Sequence, residues 1–261
     1  MNDHHVSDLK INGQGTAPGG KYNLVRINGG GKIDGDIVCD ECLVNGSGDV
    51  DGAVQCNRMN VNGNAKIKGA VRAENMTVQG HASVDGDVQS GDFTVRGHAI
   101  FGGAFSGGKV HILGNTEIAQ KMDAGEVKIA GACKTGGDLN AEKFRSTGQF
   151  TVGGLLSADT IDIQLSWVKS TAKEVGGETI TARMGLKGLS AIRSVFTSTT
   201  NAPRFEASVI EGNDITLERT KADTVRGHNV TLGAGCSIGV VEYSGTLKKT
   251  GAVNIGQERK V

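Results

Sequence analysis

The sequence predicts an all-β protein, a β-helix solenoid with coils of about 17 residues. Three observations carry that prediction. First, a phrase of the form apolar-x-Gly, then apolar-x-Gly-x-apolar, begins at Ile27 and returns at Val44, Val61, Val78, Val95, Ile112 and Ile129, always at the same step of 17. A fixed period of roughly this size is the signature of a solenoid. Second, the apolar residues within a phrase stand two apart, which is strand spacing, and no apolar stripe has a period of 3.6. Third, glycine falls at fixed places in the phrase, where corners are needed.

Numbering each coil from its start, with Val44 as position 0, position −2 is filled by Val25, Cys42, Met59, Met76, Phe93, Val110, Val127, Phe144 and Ile161. Position +6 carries Ile33, Val50, Ile67, Val84, Phe101 and Ile118. Position +10 carries Ile37, Val54, Val71, Val88, Phe105, Met122, Leu139 and Leu156. Each coil is therefore predicted as three short strands, at −2 to 0, +4 to +6 and +10 to +12, with corners at +2, +8 and about +13. That is one triangular coil. Glycine fills +2 from Gly29 through Gly148 and +8 in most repeats. Phe93, Phe101 and Phe105 crowd one coil, with Ala99 and Gly107 as the small residues facing them. Phe150 and Trp167 fall at +4, and Ser146 at position 0 makes room for the former. A lone coil buries too little to fold alone, so stacking supplies its stability.

In chain order, residues 1–8 are expected to be a disordered tail and residues 9–178 a regular β-helix. Leu9 and Ile11 repeat the phrase one coil early, and the glycine-rich stretch from Gly13 to Gly20 is expected to be a loose end coil. At Lys169, Lys173 and Glu178 charges arrive at inward positions. Charges are not buried unpaired, so a bulge or slip is expected between Leu165 and Glu178, with Ile180 back at position 0. Residues 179–204 are expected to be an insertion that leaves the coil wall, with a short helix possible at Leu186, Leu189, Ile192 and Val195. Residues 205–256 are divergent C-terminal coils: Ile215-Thr-Leu217 and Val230-Thr-Leu232 lie 15 apart. Leu247, Val253 and Ile255 suggest a last coil, and residues 257–261 a charged tail. Roughly 14 coils at about 4.8 Å each make an elongated body on the order of 70 Å.

Composition narrows the class. Lysine plus arginine and aspartate plus glutamate each number 28, so the formal net charge is zero and no global field favours nucleic acid or anionic lipid. No apolar run approaches the roughly 18 residues that a transmembrane helix needs, so none is expected. Met1 to Lys10 lacks a signal-peptide core. The expected location is cytoplasmic. Of the five cysteines, Cys39 and Cys56 stack at +12, and Cys42 and Cys133 also face inward. They suit buried thiols in a reducing compartment.

On the hydrophobic-x-Gly, hydrophobic-x-Gly-x-hydrophobic coil from Leu9 to Leu156, the chain resembles the bactofilins, the polymer-forming bacterial cytoskeletal family. Val209-Ile-Glu-Gly-Asn-Asp-Ile-Thr-Leu-Glu and Val225-Arg-Gly-His-Asn-Val-Thr-Leu-Gly-Ala-Gly-Cys-Ser-Ile-Gly look like a longer bactofilin-like group from Gram-positive bacteria. The resemblance implies a right-handed β-helix that polymerises end to end without nucleotide. This chain is longer than typical members and carries an insertion.

Candidate chemistry is sparse. His81 and His98 at +3 stack one coil apart and suggest a surface metal pair or, better, a polar ladder, with no carboxylate or thiol alongside. Asn28, Asn45, Asn62 and Gln79 at +1 suit an amide ladder. Asp34, Asp51 and Asp85 at +7, with Asp36 and Asp87 at +9, resemble a calcium or glycosidase acid row, but Lys68, Ala53 and Ala70 interrupt it, as on a solvated face. Gly29-Gly30-Gly31-Lys32 lacks the spacing and helix of a phosphate loop. No catalytic residue, cofactor or metal is expected. The chain is expected to be a non-enzymatic scaffold that associates with itself, because coil ends expose unpaired strand edges; Leu9, Ile11, Leu247, Val253 and Ile255 are the candidate contacts. The alternative is a monomeric adaptor that meets a membrane surface or an acidic protein through Arg183, Leu186, Lys187, Leu189, Ile192, Arg193 and Phe196.

Overall fold

The computed structural model describes residues 7–185 and 204–261, and these contain 22 strands and no helix. The chain divides into two compact units, 1–125 and 126–261. In both, the strands pair in parallel, coil on coil, as a β-solenoid.

Unit 1 repeats a long and a short strand. The long ones are β6 (Val54–Val61), β8 (Val71–Val78), β10 (Val88–Val95) and β12 (Phe105–Ile112); the short ones are β5 (Ser47–Val50), β7 (Asn64–Ile67), β9 (His81–Val84), β11 (His98–Phe101) and β13 (Asn115–Ile118). Their register is the sequence period: Val54 pairs with Val71, Val71 with Val88 and Val88 with Phe105. The inward columns are those the periodicity predicts, and Ile33, Val61, Val78, Val95 and Phe101 are sealed from solvent. Phe93, Phe101 and Phe105 meet with ring centroids 5.1–6.1 Å apart.

Two local expectations change. Three strands per coil become two, because the corner near +13 lies inside one continuous hydrogen-bonded strand. The alternation of β6 breaks there, with Asn57 and Arg58 exposed in succession, so the chain turns by shifting phase and keeps its ladder. The glycines at +2 also act differently. None has a left-handed φ; instead an added Cβ at Gly46 would run into the Gly29 carbonyl oxygen, and one at Gly63 into that of Gly46. The stacked corners approach too closely for a side chain.

Unit 1 opens with β1 (Leu9–Ile11), β2 (Gln14–Lys21), β3 (Leu24–Ile27) and β4 (Gly30–Val44). The glycine-rich stretch is not a loose coil: β2 pairs with β4 from Gln14 to Lys21, with one irregularity between Pro18 and Gly20. Ser7 and Asp8, placed in the expected tail, are tied to Asn23; residues 1–6 lie outside the described residues.

Strand β14 (Met122–Ile129) contains the division. Unit 2 continues with β15 (Ala132–Thr135), β16 (Leu139–Ser146), β17 (Gln149–Leu165), β18 (Ser170–Met184), β19 (Phe205–Leu217), β20 (Thr220–Gly233), β21 (Ser237–Thr250) and β22 (Asn254–Lys260). Its period drifts. Leu156 pairs with Val175 and Ile161 with Ile180, so Ile180 occupies position −2, not 0, and Ala182 takes position 0. The slip sits in the corner from Ser166 to Lys169, which lengthens, and in a register shift between Val152 and Leu155. Trp167 consequently stands outside, 53% exposed, and Ser170 takes the inward place beside Phe150, its Oγ accepting from the Phe150 N–H at 3.2 Å. Lys169 stands outside and is ion-paired with Glu206. Ser146 is buried, and Phe150 packs between Phe144 and Phe205.

The insertion also begins later than expected. β18 pairs with β17 and β19 through Ala182, and with β17 to Met184, so residues 179–184 belong to the wall. Ser170 on β18 pairs with Phe205 on β19, a step of 35 along the chain. That step includes residues 186–203, which lie outside the described set. The possible helix at Leu186, Leu189, Ile192 and Val195 falls in that interval. Beyond it, Ile215 pairs with Val230 and Val230 with Leu247, so the step falls to 15 and then returns to 17. The expected charged tail is strand: β22 pairs with β21 from Asn254 to Lys260.

Candidate functional site

The candidate assembly residues all lie on the first and last coils. Leu9 and Ile11 form β1 and pair with Val25 and Ile27 on β3. Leu247 pairs with Val230, Ile255 with Ile238, and Val253 lies in the connection between β21 and β22. Ile11 is buried, while Leu9, Leu247, Val253 and Ile255 are half-buried. The pattern follows from stacking: an inward residue of a terminal coil has a neighbour on one side only. Among the described residues β1, β2 and β22 each pair along one edge, so the other edge keeps unpaired N–H and C=O groups.

The second candidate surface is described only at its margin. Arg183 is exposed on β18 opposite Gln164. Leu186, Lys187, Leu189, Ile192, Arg193 and Phe196 lie outside the described residues. At the margin, Trp167 and Val168 are more than half exposed. The Arg204 guanidinium lies 5.4 Å from the Trp167 ring and donates to the Trp167 carbonyl at 2.6 Å.

Outside those surfaces the polar side chains form ladders along the stack. Each Asn Nδ2 donates to the Oδ1 one coil earlier: Asn28 to Asn12, Asn45 to Asn28 and Asn62 to Asn45, at 2.8–2.9 Å. His81 and His98 stack at 5.1 Å, and Asn115 Nδ2 lies 3.0 Å from His98 Nδ1. No group of three metal-ligating side chains occurs among the described residues. The aspartates at +9 are clasps: Asp36, Asp87 and Asp138 accept the backbone N–H of Ala53, Ala104 and Leu155 in the next coil at 2.7–2.8 Å. Asp51 is bracketed by Lys68 and Lys32, whose hydrogen bonds hold its carboxyl below the usual range.

Sequence reasoning missed a charge ladder in unit 2. Glu211, Arg226, Glu242 and Arg259 are register partners in four successive coils. Arg226 reaches Glu211 at 3.0 Å and Glu242 at 2.8 Å, and Arg259 reaches Glu242 at 3.2 Å. The alternating signs stand in the sequence, but at unequal spacings that hide the column.

All five cysteines are buried free thiols. Cys39 pairs in register with Cys56. Hydrogen bonds from Cys42 and then Cys56 lower the Cys39 pKa; the same bonds, then burial, raise those of Cys42 and Cys56. Burial pushes Cys133 up to about 12.

Fold and surface together define a parallel β-solenoid whose polar groups mainly serve its own stacking. Residues 6–106 match the bactofilin family, described as polymer-forming cytoskeletal. The chain is similar to two Bacillus subtilis proteins, uncharacterized protein YhbE, 40% identical over 90 residues, and uncharacterized protein YhbF, 41% identical over 83 residues. The matched part covers 34% and 32% of this chain, and about a third of each relative, 35% and 32%. No solved structure matches. No helix among the described residues is long and apolar enough to cross a membrane.

Proposed function

We propose that this protein is a non-enzymatic, cytoplasmic scaffold that associates with its own kind through the strand edges of its terminal coils and needs no nucleotide. The observation that carries this is the edge of β1 that has no partner strand among the described residues, with the half-buried Leu9 and the stacked Ile11 at the end of two apolar columns. Stacking a second apolar coil there would bury those columns and pair the free backbone groups in one step. The bactofilin match lies over this same unit. Light scattering tests the proposal: the wild-type protein is expected to show a mass above that of one chain in nucleotide-free buffer, and the double variant Ile11→Lys, Val253→Lys the mass of one chain. An unchanged assembly in the double variant refutes end contact.

A second reading concerns the corner from Ser166 to Lys169 and the residues at the margins of the undescribed stretch. Exposed Trp167 and Val168 beside Arg183 and Arg204 suit an anionic lipid surface or an acidic protein. Co-sedimentation with anionic vesicles at low salt tests it; no binding by the intact protein rules out the lipid surface.

A further inference from the structure

We propose that Cys39 and Cys56 form a modification site, a thiol pair that hydrogen peroxide oxidises to a disulfide stapling two successive coils of unit 1. The site is independent of self-association and lies wholly among the described residues of that unit.

The geometry comes from the register. Cys39 on β4 and Cys56 on β6 are direct partners in the parallel ladder, one coil apart, and both are buried. Partners on neighbouring strands lie about 4.8 Å apart, inside the Cα range of roughly 4.4–6.8 Å that a disulfide spans. Small side chains fill the rest of their column: Cys56 pairs with Ala73, Ala73 with Ser90 and Ser90 with Gly107. Closing the bond draws the two sulfurs together to about 2 Å, so it asks no extra room of the interior. Cys42, three residues further along β4, pairs with Met59. Hydrogen bonds from Cys42 and Cys56 favour the thiolate at Cys39, which makes it the attacking sulfur. Cys39 and Cys56 keep a sliver of exposure, 7% and 5%, against 2% for Cys42. That opening suits an oxidant of peroxide's size and not a peptide disulfide. The remaining thiols lack such a neighbour. Cys133 pairs with Phe150, and burial raises its pKa to about 12; Cys236 donates to the Leu217 carbonyl at 3.3 Å.

The chemistry takes two steps. The Cys39 thiolate attacks one peroxide oxygen, the O–O bond breaks, and Cys39 becomes a sulfenic acid; the hydroxide released takes up the proton that the Cys39 thiol gave. The Cys56 sulfur then attacks the Cys39 sulfur, the S–OH bond breaks, and the Cys56 proton leaves with the hydroxyl as water. Two thiols lose two electrons and two protons, and one peroxide becomes two waters. The bond encloses one coil and restricts the unfolded chain. A bond from Cys39 to Cys42 would close a short loop within β4 and tie no coil to the next. A reducing compartment holds the pair as thiols, so the staple forms when peroxide rises.

Mass spectrometry of the full chain tests this. The protein is treated with hydrogen peroxide, alkylated in denaturant and cleaved after Glu41 and Asp51, which separates the three cysteines. The expected product is a Cys39–Cys56 cross-link, two hydrogens lighter than the thiols and reversed by dithiothreitol, with Cys42, Cys133 and Cys236 alkylated. The oxidised wild type is expected to melt about 5 °C or more above the reduced protein. Cys42→Ala is expected to keep the cross-link and the shift. Cys39→Ala and Cys56→Ala, in a column where Ala73 already stands, are expected to keep the β-rich circular dichroism and lose both. A Cys39–Cys42 link, a link between two chains, or oxidation spread equally over all five cysteines overturns the proposal. So does a treated protein in which all five thiols still alkylate, or a cross-linked protein that melts where the reduced one does.

Discussion

Position +10 shows how strictly a single residue is held. Phe105 is 1% exposed, contacts Phe93 and Phe101, and pairs in register with Val88. A carboxylate there has no partner in an apolar interior, and an unpaired buried charge is among the costliest substitutions. Phe105→Asp is expected to lower stability by more than about 4 kcal/mol, while Lys66→Asp, on the exposed face of β7, stays within about 0.5 kcal/mol; thermal melts of the two variants check the inside-outside assignment. The asparagine ladder predicts a smaller effect. Asn45 both donates to Asn28 and accepts from Asn62, so Asn45→Ala removes two exposed hydrogen bonds and is expected to cost about 1 kcal/mol in a denaturant titration. These residues were legible in the sequence because the constant register places like on like. Asp36, Asp87 and Asp138 were less so. They look like a broken acidic row, and their bonds to the next coil's backbone appear only once the corners are stacked.

At the scale of the element, the coil tolerates extra residues only at corners. Ser170 on β18 pairs in register with Phe205 on β19, on either side of residues 186–203 in the chain. Deleting residues 186–203 is therefore expected to leave the β-rich circular dichroism intact; loss of the β signal would mean that the segment supports the wall. The sequence located this departure but began it at residue 179, because Arg183 and Met184 resemble the basic, apolar composition that follows. It placed Trp167 inside because a fixed period cannot foresee a lengthened corner, and it ended the strands early because the charged residues of β22 resemble a tail. The charge ladder of unit 2 makes a pH prediction. Arg226, by hydrogen bond, holds Glu242 below its ordinary value of 4.5. A carboxyl depressed on folding stabilises above its unfolded pKa and loses that contribution as pH falls through the folded one. The hydrogen-exchange protection of β21 and β22, taken relative to the intrinsic rate at each pH, is thus expected to fall below about pH 4.5 more than that of β8. An equal loss of protection in both would deny the ladder a role.

For the whole molecule, the balance lies between the interior that one chain buries and the edges it leaves. A solenoid repeats its coil until something ends it, and each terminal coil must be stacked, covered or charged. Here the first coil ends in Leu9, Ile11 and Ala17, and the last in Leu247 and Ile255. These apolar terminal residues were legible from periodicity. Sedimentation velocity of the full-length protein in nucleotide-free buffer, over a concentration series and beside Leu9→Lys, tests self-association most directly. The wild type is expected to sediment as an associated species at the higher concentrations and the variant as a single chain; a wild type that sediments as a single chain throughout, or a variant that associates equally, contradicts the account.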